Sequence, residues 1–176
     1  SKLLKVLTVG RLSWEKDIFT MIRAINEIKD AKIVLKVLGE GNERNNILNL
    51  IKKYKLQKKI FLLGHKKKIK KFYQESDLFI NASYFEGFPN AIVEAINFKL
   101  PVICSDTSSG VREIILNGKG GDLFKVGDYK SLANKIFSFY KNPKPFYKRL
   151  IIARKNIKNF SIEKNVENYE SIFKKS

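Results

Sequence analysis

Two glutamates eight residues apart, Glu86 and Glu94, bracket the stretch Gly87-Phe88-Pro89-Asn90-Ala91-Ile92. Proline suits the first position of a helix, because its φ is preset and the N–H it lacks would be unpaired there anyway. The amides of Asn90, Ala91 and Ile92 then point out of the helix end with the macrodipole behind them, a site for a phosphate or diphosphate. Gly87 lets the backbone come close to such a ligand. Glu86, just ahead of the helix, could accept hydrogen bonds from sugar hydroxyls, and Glu94, in the second turn, from a vicinal diol such as a ribose. Asn90, Glu94 and Asn97 also follow an i, i+4, i+7 spacing, the solvated stripe of an amphipathic helix, and periodicity by itself leaves both readings open.

Arg11 and Lys16 lie on one short stretch, separated by Leu-Ser-Trp-Glu. A guanidinium fork and an ammonium point charge placed so could clamp a diphosphate; they also fit two ordinary solvated cations. The sequence contains no Asp-x-Asp pair, so a metal-bridged diphosphate is not expected, and cations with a helix end must carry the neutralisation. Gly39-Glu40-Gly41 has the start of a dinucleotide fingerprint but not its end, since Arg44 stands at the third glycine's position. A plain tight turn into a helix competes there with a phosphate loop, and NAD binding is disfavoured. His65, after Leu63-Gly64, either contacts a nucleobase or simply ends a strand. Trp14, Tyr84 and Phe85 are loop aromatics, a class that more often packs than binds.

These residues need a scaffold, and the hydrophobic pattern supplies one. Short β-branched runs at 4–9, 32–38, 59–63, 77–82, 101–105 and 122–124 alternate with helical patterns at 17–28, 42–54, 68–74, 89–98, 111–116 and 130–140. Two further amphipathic stretches, 144–157 and 162–173, follow with no strand after them. Strands alternating with helices imply a single Rossmann-like α/β domain over 1–176, a six-stranded parallel sheet with helices on both faces plus C-terminal helices. In such sheets ligands sit beyond the carboxyl ends of the strands. The residues just after each predicted strand, Gly10-Arg11, Gly39-Glu40-Gly41, Gly64-His65, 83–88 and 105–110, hold many of the glycines and the least expected polar groups.

Composition narrows the function classes. The chain has 176 residues, one Cys and one His, and 35 basic against 17 acidic side chains for a net charge of +18. A lone His65 rules out a histidine-cluster metal site, and Cys104, in the apolar run 101–104, reads as a buried thiol of a reducing compartment. No uncharged apolar stretch approaches the roughly 18–20 residues of a membrane helix, and no leader pattern opens the chain. Of the 35 cations only six are Arg, the residue duplex readers use for base edges, so specific nucleic-acid recognition is not favoured. Ten Lys fall between positions 52 and 71 with no acid among them, a patch suited to phosphate-bearing partners, including an anionic membrane surface.

Taken in order, the motifs resemble those of a known family. Val9-Gly10-Arg11-Leu12, Glu15-Lys16, Leu38-Gly39-Glu40-Gly41, Phe61-Leu62-Leu63-Gly64 and Ser83 through Asn90 are followed by Glu94-Ala95, Pro101 through Asp106, Gly110 through Ile115, and Gly121 to Asp128. The whole chain resembles the C-terminal, nucleotide-sugar-binding domain of a GT-B glycosyltransferase of retaining family 4, the glycosyl transferases group 1 type. The spacing of Glu86 and Glu94 matches that family's signature. The resemblance implies a hexosyltransferase using a UDP- or GDP-sugar without metal or other cofactor, on a lipid-linked, lipopolysaccharide or glycan acceptor. It assigns Arg11 and Lys16 to the diphosphate and Glu86 to the donor sugar, the three residues expected to carry catalysis. Gly87, Phe88, Pro89, Asn90, Ala91 and Ile92 then form the loop and helix end that hold sugar and phosphate. Glu94 falls on the ribose, Gly64, His65 and Ile69 on the segment that cradles the base, and Gly10, Gly39 and Gly41 complete the donor site. The segment from Ser105 to Glu113 resembles members that use UDP-sugars. Asp17 departs from the Gly or Asn that often follows the Lys. The acceptor domain that the resemblance requires is expected outside this chain, which reads as an excised fragment or a split subunit. Residues Val166, Tyr169, Ile172 and Phe173 are expected to be partly exposed where that domain would pack. A cytoplasmic protein, peripheral on the inner face of a membrane, is the implied setting.

Overall fold

A computed structural model describes residues 2–173, with side chains through residue 159. Six strands run β1 (Leu4–Val9), β2 (Ile33–Leu38), β3 (Ile60–Leu62), β4 (Leu78–Asn81), β5 (Val102–Ser105) and β6 (Asp122–Phe124). They form one sheet in the order β3-β2-β1-β4-β5-β6, and every neighbouring pair is parallel. The helices are α1 (Ile18–Glu27), α2 (Arg44–Lys53), α3 (Lys70–Gln74), α4 (Asn90–Asn97), α5 (Ser109–Ile114), α6 (Tyr129–Lys141) and α7 (Lys144–Phe173). This is the doubly wound architecture expected from the alternation of short apolar runs and helical periods.

The period-two pleat sorts each strand's side chains into two cores. Val6, Leu35, Leu78, Ile80 and Ile103 face one side, where they meet Ile22 and Ile25 of α1, Ile47 of α2 and Ile136 of α6. Leu7, Phe79, Val102 and Cys104 face the other, against Ile92 and Ile96 of α4, Val111 of α5 and Leu150 and Ala153 of α7. Cys104 is wholly buried there, and burial pushes its thiol well above the ordinary range, so it packs as a small apolar side chain.

Strand and helix ends differ from the sequence expectation by no more than two residues, the usual fraying of element boundaries. One difference is larger. The two predicted C-terminal helices are a single helix, α7, because residues 158–161 contain neither Pro nor Gly to interrupt it. The expected exposure of Val166, Tyr169, Ile172 and Phe173 falls outside the described side chains.

The chain reverses strand order between β1 and β4, the switch point at which parallel sheets open a crevice above their carboxyl ends. Backbone contacts brace this edge. Gly10 N–H donates to Leu38 O at 3.0 Å, Gly39 N–H to Gly64 O at 2.9 Å, and Leu12 N–H to Glu40 O at 2.9 Å. Gly39 has φ +139°, and a Cβ there would run into the carbonyl oxygen of Gly10. Gly39→Ala is expected to cost at least about 2 kcal/mol of stability, from a backbone region closed to L side chains together with that clash. The urea midpoint of the variant against the parent measures it; an unchanged midpoint would mean that the two loops separate freely.

Candidate functional site

The loops after β1 and β4 meet over the switch point. After β1 the chain makes a single tight helical turn, Trp14–Lys16, and stops it with Asp17 in the left-handed conformation at φ 46°. Asp17 then caps α1, its side chain accepting from Thr20 N–H at 3.1 Å. A left-handed position tolerates Asp, Asn and Gly best, which accounts for the residue found after Lys16. Lys16 is thereby aimed across the crevice.

Its target is Glu86. Lys16 Nζ lies 2.8 Å from Glu86 Oε1, which also accepts from Asn81 Nδ2 at 2.9 Å and Ser83 Oγ at 2.6 Å. The Glu86 side chain is only 8% exposed. Burial by itself would raise its pKa, but the three hydrogen bonds and the Lys16 charge outweigh that and hold it below the ordinary carboxylate value. All three donors converge on Oε1, so Oε2 is left for the crevice. Glu86 is an ionised, fixed acceptor.

Glu94 is anchored from beneath. Tyr73 Oη donates to Glu94 Oε2 at 2.9 Å, and the Tyr73 ring is fully buried between Phe79 and Phe98. Burial first, then the bond to Glu94, raises the phenol's pKa far above its usual value, so it remains a donor. Glu94 is therefore not a freely solvated member of a polar stripe, although Asn90 and Asn97 on the same face are exposed.

The start of α4 corrects the sequence expectation. Pro89 is the N-cap rather than the first helical residue, with φ −82° and ψ 67°. That geometry is an inverse γ-turn, and Asn90 N–H closes it onto Phe88 O at 2.9 Å. Ile92 N–H turns back to Pro89 O at 3.1 Å. Of the three amides expected to face a ligand, only that of Ala91 lacks a backbone partner among the described residues.

These groups line one continuous crevice in two lobes. The larger, about 590 Å³, is bordered by Gly10, Arg11, Lys16, Ile69, Glu86, Gly87, Phe88, Pro89, Asn90, Ala91 and Glu94. The smaller, about 470 Å³, shares Gly10, Arg11 and Ile69 and adds Gly39 and His65. Arg11 and His65 are exposed. Three predicted site residues stand apart. Gly41 packs against the backbone of Leu12, where a Cβ would not fit. Ile92 points into the core, fully buried. Gly64 bridges to Gly39 at the lobe's edge. Sequence reasoning missed Asn81 and Tyr73, and flagged Ser83 within the stretch 83–88 without giving it a role. A polar Asn ending the apolar strand β4 was a readable signal; Tyr73 offered none. Among the described residues no three His, Cys, Asp or Glu side chains gather as metal ligands.

Residues 1–160 match the family Glycosyl transferases group 1. The chain belongs to that family. One relative is an N-acetylgalactosamine-N,N'-diacetylbacillosaminyl-diphospho-undecaprenol 4-alpha-N-acetylgalactosaminyltransferase of Campylobacter jejuni, 37% identical over 72% of this chain and 34% of that protein. Another is the amylovoran biosynthesis glycosyltransferase AmsD of Erwinia amylovora, 32% identical over 89% of this chain and 41% of that protein. Among solved structures, S. aureus TarM, crystallised as a mutant with Fondaparinux, alpha-GlcNAc-glycerol and UDP, superposes with a TM-score of 0.86 at 25% identity, covering 98% of this chain and 36% of that one. The chain thus spans about a third to two-fifths of the length of these three proteins.

Because folding lowers the Glu86 pKa, its contribution to stability is complete above the ordinary carboxylate range and is lost as pH falls through the lowered value. Glu86→Gln is expected to cost about 2 kcal/mol at neutral pH, the loss of charge-assisted bonds at a nearly buried acceptor. The gap between variant and parent closes on acidification. Denaturation midpoints followed from pH 7 down to pH 3 check this, and a gap independent of pH would refute the ionised state.

Proposed function

We propose that this chain is the donor-binding domain of a retaining glycosyltransferase, which moves a hexosyl group from a UDP- or GDP-sugar to a lipid-linked, lipopolysaccharide or glycan acceptor. The observation that carries the reading is the pair of anchored carboxylates facing Arg11 and Lys16 across a crevice at the switch point. In this reading the smaller lobe, with His65 and Ile69 on its walls, takes the base, and Glu94 accepts from the ribose diol. Arg11, Lys16 and the Ala91 amide take the diphosphate, and Glu86 faces the sugar.

The catalytic contribution is electrostatic. Departure of the nucleoside diphosphate builds negative charge on its oxygens, and fixed cations aimed there lower the barrier without reorganising. No metal is needed in this scheme, since two side-chain cations and a helix end do the neutralising. The acceptor domain lies outside this chain, so the chain alone is expected to bind donor and transfer nothing. The family membership and the UDP present in the TarM crystals support a nucleotide-sugar ligand. A UDP-sugar rather than a GDP-sugar is favoured by the resemblance of the segment from Ser105 to Glu113 to members that use UDP-sugars.

A peripheral position on an anionic membrane also belongs to this reading. Nine of the ten Lys between positions 52 and 71 are exposed, around the edge strand β3 and the smaller lobe. Among the described residues no helix is long and apolar enough to cross a bilayer. Each Lys near an anionic surface contributes about 1 kcal/mol. Salt-sensitive sedimentation with vesicles containing phosphatidylserine, absent with neutral ones, is the expected result; equal recovery in the supernatant leaves the patch as a solvated face.

Titration calorimetry with UDP and GDP, each with and without EDTA, tests the donor site. Binding that survives EDTA is expected, and Glu94→Gln is expected to weaken it by about 1–2 kcal/mol through loss of a charged acceptor. Binding abolished by EDTA would overturn the metal-independent scheme. Unchanged affinity in the variant would remove Glu94 from the site.

A further inference from the structure

Three exposed aromatic side chains near the crevice form a group. Trp14 is 58% exposed, Phe85 55% and Tyr84 44%. The Trp14 ring lies 5.9 Å from that of Tyr84 at an angle of 42°, and 5.7 Å from that of Phe85 at 70°. Trp14 belongs to the loop after β1 and the other two to the loop after β4. Tyr84 N–H donates to Glu15 O at 2.8 Å and locks the two loops together. The group is therefore a prearranged corner of ring faces rather than three side chains that happen to be exposed.

Exposed apolar groups that adjoin one another mark interaction sites more often than singly scattered ones do. The corner continues directly into the larger lobe, whose lining includes Phe85, Glu15 and Lys16. An isoprenoid chain or an apolar protein surface laid here would strip water from the carboxylate of Glu15 without replacing its hydrogen bonds. A pyranose would not, because it offers a face of C–H bonds to the rings and a rim of hydroxyls to the carboxylate. Phe85 directly precedes Glu86, so a sugar seated on the rings stands beside the carboxylate that faces the donor sugar. We propose that Trp14, Tyr84 and Phe85 form a carbohydrate shelf at the mouth of the crevice, which seats a pyranose ring of the acceptor. The acceptor assignment rests on the donor-site reading above; the shelf itself rests on the rings.

Trp14 is the single tryptophan of the chain, so its emission reports on the shelf directly. The 176-residue chain, held with excess UDP, is titrated with maltotriose and with N,N'-diacetylchitobiose. A saturable change in Trp14 emission with at least one of them is expected. Saturation-transfer NMR on the same saccharide is expected to show affinity falling roughly tenfold in Trp14→Ala, and falling also in Tyr84→Ala, as rings worth about 1 kcal/mol each are removed. The UDP affinity and thermal midpoint of Trp14→Ala stay at the parent's values. Three results overturn the proposal: no response to either saccharide, saccharide binding that survives Trp14→Ala, or a response to farnesyl phosphate alone. Should UDP itself fail to bind, the donor-site reading falls, and the same titrations without UDP decide the shelf by the same criteria.

Discussion

The loops after β1 and β4 come from strands that are neighbours in the sheet but some 70 residues apart in the chain, and one carboxylate oxygen joins them. Removing an ionised carboxylate from water is costly unless donors replace the water. Glu86 Oε1 receives three, one from the β1 loop and two from the end of β4 and the loop after it. Each charge-assisted bond contributes about 1.5–3 kcal/mol, enough together to offset the burial. The consequence is positional. With Lys16, Asn81 and Ser83 fixed on one oxygen, the rest of the crevice wall has a reference point, and Phe85 and Gly87 inherit their places from it.

That arrangement also decides how an anion could be held. A free helix end presents several unpaired amides, but the γ-turn at Pro89 engages Asn90 N–H and the following turn engages Ile92 N–H. The Ala91 amide remains, with whatever dipole an eight-residue helix carries. The weight of anion binding therefore shifts to side chains, and of the two nearest cations Lys16 already serves Glu86. Arg11, exposed and bordering both lobes, is the cation whose charge is least committed.

Much of this was legible in the sequence, for reasons that separate local from distant effects. Alternating apolar residues at Leu4–Val9 and the buried run at Leu78–Asn81 mark strands because each strand's two faces are both buried, a property of the strand alone. The placement of Arg11, Glu86 and Glu94 at strand and helix ends was legible for the same reason. What holds them was not. The bond from Tyr73 to Glu94 spans 21 residues and that from Lys16 to Glu86 spans 70, and no local pattern encodes either partner. The glycine pair after β2 read equally as a phosphate loop or a tight turn. Its structural role, close passage of Gly39 against Gly10 and of Gly41 against Leu12, depends on a strand pairing that spacing cannot show. α7 runs unbroken where apolar spacing divides it in two, because continuity depends on the absence of a breaker and not on which positions are apolar.

The cost of aiming Lys16 is carried one residue later. Asp17 is buried and left-handed, and while one oxygen caps α1, its Oδ2 has no hydrogen-bond partner among the described residues. Burial raises its pKa despite the bonds from Thr20 and the nearby charge of Arg23. A carboxyl whose pKa rises on folding contributes stability that is complete at low pH and lost as pH rises through the folded value. Asp17 therefore opposes Glu86 in its pH dependence, although it directly follows the lysine that pairs with Glu86. The turn persists because a left-handed residue is what stops the helical turn at Lys16 and starts α1 in the same step. Strain and buried charge collected at one position, beside a side chain that must cross the crevice, are what a site imposes on a fold whose other residues obey the ordinary rules.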